Sequence, residues 1–206
     1  MTARELRPDR RHGPGDRRYP RGPVASVPLV GVDQAPLLAR PYYEAGDPGP
    51  IVAALAHVPE LLEACVPFLD VVFGPTALPG RTKELVILRT SARLSCRYCV
   101  EAHSVAALDA GLGPDEVRAL CRPGADVAAL ADPAELALLA WVDAVAGGTG
   151  PVDPGPRAAL ARHFTDPEVV ELTLLLGVTI MLNRFCTALD LPTSSETCRR
   201  LAEAGL

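Results

Sequence analysis

The sequence predicts an all-α fold, on three observations. Apolar residues recur at helical spacing from about residue 50 to the end. Proline, glycine and small polar residues stand where helices begin and stop. No alternating apolar–polar run of useful length offers a strand, and no internal repeat divides the chain. The 206 residues suit one domain with appendages, enough to bury a sizeable core.

Residues 1–22 read as a disordered tail rich in arginine, proline and glycine. Arg4, Arg7, Arg10, Arg11, Arg17, Arg18 and Arg21 make it basic, but Glu5, Asp9 and Asp16 dilute that charge. Residues 23–50 read as an extended lead-in, because Pro28, Pro36, Pro41, Pro48 and Pro50 deny it a long helix. Such a segment is free to wrap the body or a neighbouring subunit. Residues 51–206 read as one helical domain.

A short helix is expected over about 50–56. The next opens at Pro59, a residue suited to a first turn, and runs to about Phe73. Gly74, Pro75, Pro79 and Gly80 make a loop. A helix over about 81–94 carries Leu85, Leu88 and Ala92 on one face. Ser95 can cap a helix that holds Cys96 and Cys99 and stops near Gly111. Gly113-Pro114 opens a helix to about Cys121, and Asp132-Pro133 opens one to about Ala146. A helix over 154–164 follows. Thr165-Asp166-Pro167-Glu168 reads as a capping box, which starts a long, nearly all-apolar helix to about Asp190. A helix apolar all round belongs in a core or a subunit interface. A last helix spans about 194–204.

Composition removes several function classes. A net charge of -5 gives no electrostatic reason for a nucleic-acid partner. The run Leu172–Leu182 is shorter than the ~18 apolar residues a membrane span needs, and no apolar leader follows the charged N-terminus. The expectation is a soluble, cytoplasmic protein. There structural disulfides are rare, so the six cysteines are read as free thiols. Cys65, Cys121, Cys186 and Cys198 stand singly and are read mostly as small buried hydrophobes.

The chemistry concentrates between Glu84 and His103. On a helix, Cys96, Cys99 and His103 share one face, because steps of three and four return to the same side. Glu101 falls opposite. Glu84 lies on the preceding helix, which can fold back on this face. A thiolate is the reactive form of cysteine, favoured near a helix N-terminus or an imidazole. By that argument Cys96 gains from a first-turn position and Cys99 from His103 one turn later. Two cysteines three apart can close a disulfide once one is oxidised to a sulfenic acid. Glu84 can orient the imidazole or complete a proton relay. The same residue types also ligate zinc, although three ligands along one short helical segment are not the usual finger spacing.

The spacing Glu84, Cys96, Cys99, His103 (a glutamate, eleven residues, then C-x-x-C-x-x-x-H) resembles the alkylhydroperoxidase D-like branch of the carboxymuconolactone decarboxylase superfamily. Leu85-Val86, Tyr98, Ala110-Gly111-Leu112 and the stretch from Val169 to Arg184 are similar too, so the resemblance covers about residues 50–192. It implies a helical bundle assembled into trimers or hexamers. It implies that Cys99 is the peroxidatic thiol, Cys96 the resolving one, and His103 with Glu84 the proton relay. Hydroperoxide is the implied substrate, a lipoyl-type or other dithiol the implied reductant, and no bound organic cofactor is required. Tyr98 stands where the best-known peroxidases of the branch have a second histidine. Two alternatives remain at this point: a non-redox decarboxylase or isomerase of a biosynthetic pathway on the same fold, and a metal-binding protein using Cys96, Cys99 and His103.

Other residues receive plainer readings. His57 is a surface or capping residue, and His163 suits a helix C-terminus. Trp141 packs in the core. Asn183 and Arg184 interrupt an apolar helix, facing the site or an interface or forming a buried pair. Gly147-Gly148-Thr149-Gly150 lacks the strand and lysine of a phosphate loop.

Overall fold

Helix starts in this protein are written by proline and capping residues. The computed structural model of the chain describes residues 25–122 and 132–206, so the expected N-terminal tail lies outside the described residues. The helices are α1 (Pro50–Leu55), α2 (Pro59–Phe73), α3 (Gly80–Arg93), α4 (Arg97–Asp109), α5 (Pro114–Cys121), α6 (Pro133–Gly147), α7 (Pro154–Leu160), α8 (Asp166–Leu189) and α9 (Ser195–Glu203). Among the described residues there is no strand, as expected for an all-α chain. Asp132 accepts hydrogen bonds from the N–H groups of Ala134 and Glu135 to open α6. Glu168 accepts from the Thr165 N–H at 2.7 Å to open α8.

Helix α3 is the centre of the bundle, packed against α4, α5, α6 and α8. Its Leu85 and Leu88 are fully buried with Leu138, Leu139, Leu172, Leu175 and Leu176. Each such leucine contributes roughly 1.5–3 kcal/mol of transfer free energy. Helix α8 is long and apolar enough to cross a membrane by length and composition. It is a core helix here, because Leu172, Leu175, Leu176, Thr179, Asn183 and Cys186 form a buried stripe against the bundle. Its other side is exposed: Val170 is 69% and Met181 49% accessible. With Phe68 of α2, Leu174 and Gly177, these residues line an open apolar groove.

The lead-in departs from the extended chain expected over 23–50. It folds into two short 3-10 segments, Val32–Gln34 and Leu37–Tyr43. Proline removes the donor that an α-helix needs but fixes a φ that these tight turns accept. The segment wraps the body. Ser26 N–H donates to Leu189 O, Val30 N–H to Ala53 O, and the Tyr43 hydroxyl to Val30 O. His57 Nε2 contacts Pro28 O at 2.6 Å, so this histidine ties down the strap from the surface.

One boundary and one side-chain pairing differ from the sequence reading. Helix α7 ends at Leu160, where turns take over, so exposed His163 lies beyond it. Asn183 and Arg184 are not a pair: Asn183 is buried and donates to Ser91 Oγ and Thr179 O, whereas Arg184 is exposed. Trp141 lies in the core as expected.

Candidate active site

The site begins with how α3 ends. Ser95 adopts a left-handed conformation at φ 55°. Its N–H reaches Ala92 O and the next N–H, of Cys96, reaches Ser91 O at 3.1 Å, which closes α3 with a Schellman turn. The chain reverses there into α4. Cys96 therefore serves as N-cap of α4, accepting from the Cys99 N–H at 3.4 Å. This corrects the expectation that Ser95 caps the helix and Cys96 sits in its first turn. The sequence reading missed the turn because serine, unlike glycine, rarely takes a left-handed backbone.

The reversal lays α3 and α4 side by side, so that Glu84 and His103 meet across the hairpin. Glu84 Oε2 lies 3.0 Å from His103 Nδ1. A carboxylate only accepts, so it fixes the imidazole proton on Nδ1 and leaves Nε2 as the basic nitrogen. The ring tilts against Phe73 of α2 at 6.3 Å between centroids. His103 lies one turn beyond Cys99 on the same face of α4. Among the described residues its hydrogen bond goes to Glu84 and none joins it to the Cys99 thiol, so proton exchange needs a bridging water or substrate oxygen. Glu101 takes a hydrogen bond from Thr193, away from this face, as its spacing implied.

Both thiols are buried, Cys96 1% and Cys99 5% exposed. They do not stand alone. Cys186 of α8, also 1% exposed, packs with them, with Ala54 and with Leu191 in one cluster. Ala25, Leu29 and Ile51 of the lead-in and α1 cover that cluster. Hydrogen bonding from the Cys186 and Cys99 thiols, with the Cys99 N–H, holds Cys96 far below the ordinary thiol value. Cys99 is pushed strongly upward, first by Cys186, then by Cys96 and by burial. Cys186 is pushed up chiefly by Cys96. Of the three, the N-cap sulfur of Cys96 is therefore the one on which neighbouring thiols and helix N–H groups favour a negative charge.

The remaining cysteines are dispersed. Cys65 and Cys121 are half-buried and Cys198 is exposed, so of the four solitary cysteines only Cys186 is a fully buried one. Among the described residues, no group of three or more His, Cys, Asp and Glu is placed to hold a metal ion.

Residues 59–144 match the carboxymuconolactone decarboxylase family. The fold superposes on the alkylhydroperoxidase AhpD core of a peroxidase-related protein from Ralstonia eutropha JMP134, with TM-score 0.73 and 22% identity over 85% of this chain and 95% of that one. The carboxymuconolactone decarboxylase family match thus lies at the centre of a helical fold shared with alkylhydroperoxidase D-like proteins. The chain is 27% identical to the uncharacterized protein YnjA of Escherichia coli (strain K12), over 86% of this chain and 94% of that protein. It also shares the fold of the debrominase Bmp8, with TM-score 0.67 and 18% identity over 85% of this chain and 96% of that one. The four residues singled out in the sequence thus lie on two adjoining helices of a superfamily bundle, two as a hydrogen-bonded pair and two as packed thiols. Cys186 was missed. It has no local spacing signal, since only the packing of α8 on α4 brings it in.

Proposed function

We propose that the chain is a thiol-dependent peroxidase that reduces hydroperoxides through Cys99 and Cys96, with His103 and Glu84 as proton relay. The observation that supports this most is the Glu84–His103 pair at 3.0 Å on the face of α4 that carries the two packed thiols. In this reading His103 Nε2 takes the Cys99 proton through the bound hydroperoxide or a water. The Cys99 thiolate attacks the distal peroxide oxygen, the O–O bond breaks, and the alcohol leaves with the proton returned by His103. Cys99 becomes a sulfenic acid. Cys96, favoured as thiolate at the N-cap, attacks that sulfur and expels hydroxide, which takes a proton from solvent and leaves as water, since His103 has already returned its proton to the alcohol. An external dithiol or lipoyl-type reductant then takes the disulfide back to two thiols. The shifts give the resolving Cys96 its thiolate directly, whereas Cys99, pushed upward, depends on His103 as base; its role as attacking sulfur rests on His103 one turn away and on the family resemblance.

The burial of both sulfurs favours small hydroperoxides over bulky ones. A cytoplasmic setting agrees with a cycle that needs dithiol reduction. The exposed apolar groove of α8 and α2 is the surface we assign to contact between copies, in line with the trimers or hexamers implied by the family resemblance.

The test is consumption of an organic hydroperoxide with dihydrolipoamide as electron donor. Turnover by the parent and none by Cys99→Ser is the expected result. No turnover by a parent with free thiols would overturn it and favour a non-redox reaction on the same fold.

A further inference from the structure

We infer that Cys186 is a third redox thiol of this site, able to take over Cys96 from Cys99 in a second disulfide. The inference rests on the thiol–disulfide reading above and extends it. Three observations carry it. Cys186 stands with Cys96 and Cys99 in one buried cluster, from a helix that contributes no other residue to the chemistry. Its position is fixed by the end of α8. Asp190 turns left-handed at φ 50°, Asp190 N–H reaches Thr187 O, and Leu191 N–H reaches Cys186 O at 3.0 Å. This second Schellman turn holds the Cys186 backbone while the first holds that of Cys96. The Cys186 thiol is packed with both other cysteines in that cluster, and each of the three shifts the other two.

The step is an exchange with no net oxidation. In the Cys96–Cys99 disulfide, the Cys186 sulfur loses its proton and attacks the Cys96 sulfur. The Cys96–Cys99 bond breaks, a Cys96–Cys186 bond forms, and the Cys99 sulfur leaves and takes up the proton that Cys186 gave up. The oxidising equivalent still comes from the hydroperoxide, and two electrons from a dithiol still remove it. The product state differs in its access. Its disulfide joins two sulfurs that are each 1% exposed and covered by Ala25, Leu29 and Ile51, so an external dithiol reaches it by return through Cys99. Cys99 is meanwhile a free thiol again, next to His103. Cys186 thus allows the site to store one oxidising equivalent below its surface.

The test uses full-length Cys99→Ser protein, in which the C-x-x-C pair cannot close. One equivalent of diamide removes two electrons and two protons from a pair of thiols without any hydroperoxide. Non-reducing peptide mapping should show Cys96–Cys186 as the main disulfide. Cys96 and Cys186 both recovered in alkylated form, from protein with the parent's helical circular dichroism, would overturn the inference. Should the variant fold poorly, parent protein oxidised the same way decides: both Cys96–Cys99 and Cys96–Cys186 peptides are expected at equilibrium, and Cys96–Cys99 alone would overturn it. Because diamide bypasses peroxide chemistry, a protein that forms Cys96–Cys186 yet consumes no hydroperoxide refutes the peroxidase reading and leaves this inference standing.

Discussion

Replacing Lys83, the chain's single lysine, with methionine removes a buried ammonium that sews α2 to α3. Lys83 is 4% exposed. Its Nζ donates to Val72 O at 3.1 Å and Gly74 O at 2.7 Å, and lies 3.2 Å from Glu171 Oε1 of α8. The two carbonyls belong to the end of α2, where the helix itself offers no donors. Methionine keeps most of the apolar stem but no donor. Each carbonyl left unpaired costs roughly 1–3 kcal/mol. Relief of the buried ammonium's desolvation returns part of that. The Glu171 contact adds little, since that carboxylate is partly solvated. The net expectation is a loss of about 2–4 kcal/mol, a large share of the ~5–15 kcal/mol a domain possesses. Urea denaturation followed by helical circular dichroism measures it as a lower midpoint at unchanged slope. A loss under about 0.5 kcal/mol would refute the reasoning, because it would mean that the carbonyls find other partners without cost. The substitution should also raise the mobility of Phe73, the wall against which His103 rests.

Four further outcomes are expected. Glu84→Gln keeps the size of the side chain but loses a charged hydrogen bond of roughly 1.5–3 kcal/mol, so hydroperoxide turnover should fall about tenfold to a hundredfold with the fold intact; turnover within twofold of the parent would remove Glu84 from the relay. In protein with Cys65, Cys121 and Cys198 replaced by alanine, thiolate absorbance near 240 nm should report one thiolate at neutral and mildly acidic pH, lost in Cys96→Ala, since Cys96 is lowered while Cys99 and Cys186 are raised. The same shifts set the sign for stability: above the ordinary thiol value of about 8.5 the unfolded chain releases protons that folded Cys99 and Cys186 retain, so stability should fall as pH rises, by up to roughly 1.4 kcal/mol per unit for each thiol; stability that climbs above pH 9 would contradict it. Leu174→Glu, placed in the exposed groove of α8, should split any assembly into smaller species by light scattering, and an unchanged mass would clear that face of a role.

Much of this architecture was legible because it is written in local chemistry. Pro59, Pro114 and Pro133 and the Thr165–Glu168 box mark helix starts where the backbone donors need no helical partner, and the helices begin there. The pairing of Glu84 with His103 could be expected because a short turn between two helices forces them to run side by side. What failed to show was set by backbone strain or by distant packing. Ser95 is not a residue that announces a left-handed turn, so Cys96 was placed one position too far into its helix. The prolines of the lead-in ruled out a long helix but said nothing of 3-10 turns. Cys186 looks like any small apolar residue on α8, and only the packing of α8 beside α4 makes it part of a thiol cluster.

The central claim is that Cys99 is the sulfur that meets the peroxide. The most direct measurement is sulfenic-acid trapping in a protein carrying Cys96→Ser and Cys186→Ser together, so that no neighbouring thiol can resolve the product. One equivalent of hydroperoxide is added in the presence of dimedone, and the adduct is mapped by mass spectrometry. The account predicts near-stoichiometric dimedone on Cys99. Unmodified Cys99 with the hydroperoxide unconsumed, or an adduct confined to Cys65, Cys121 or Cys198, would contradict it.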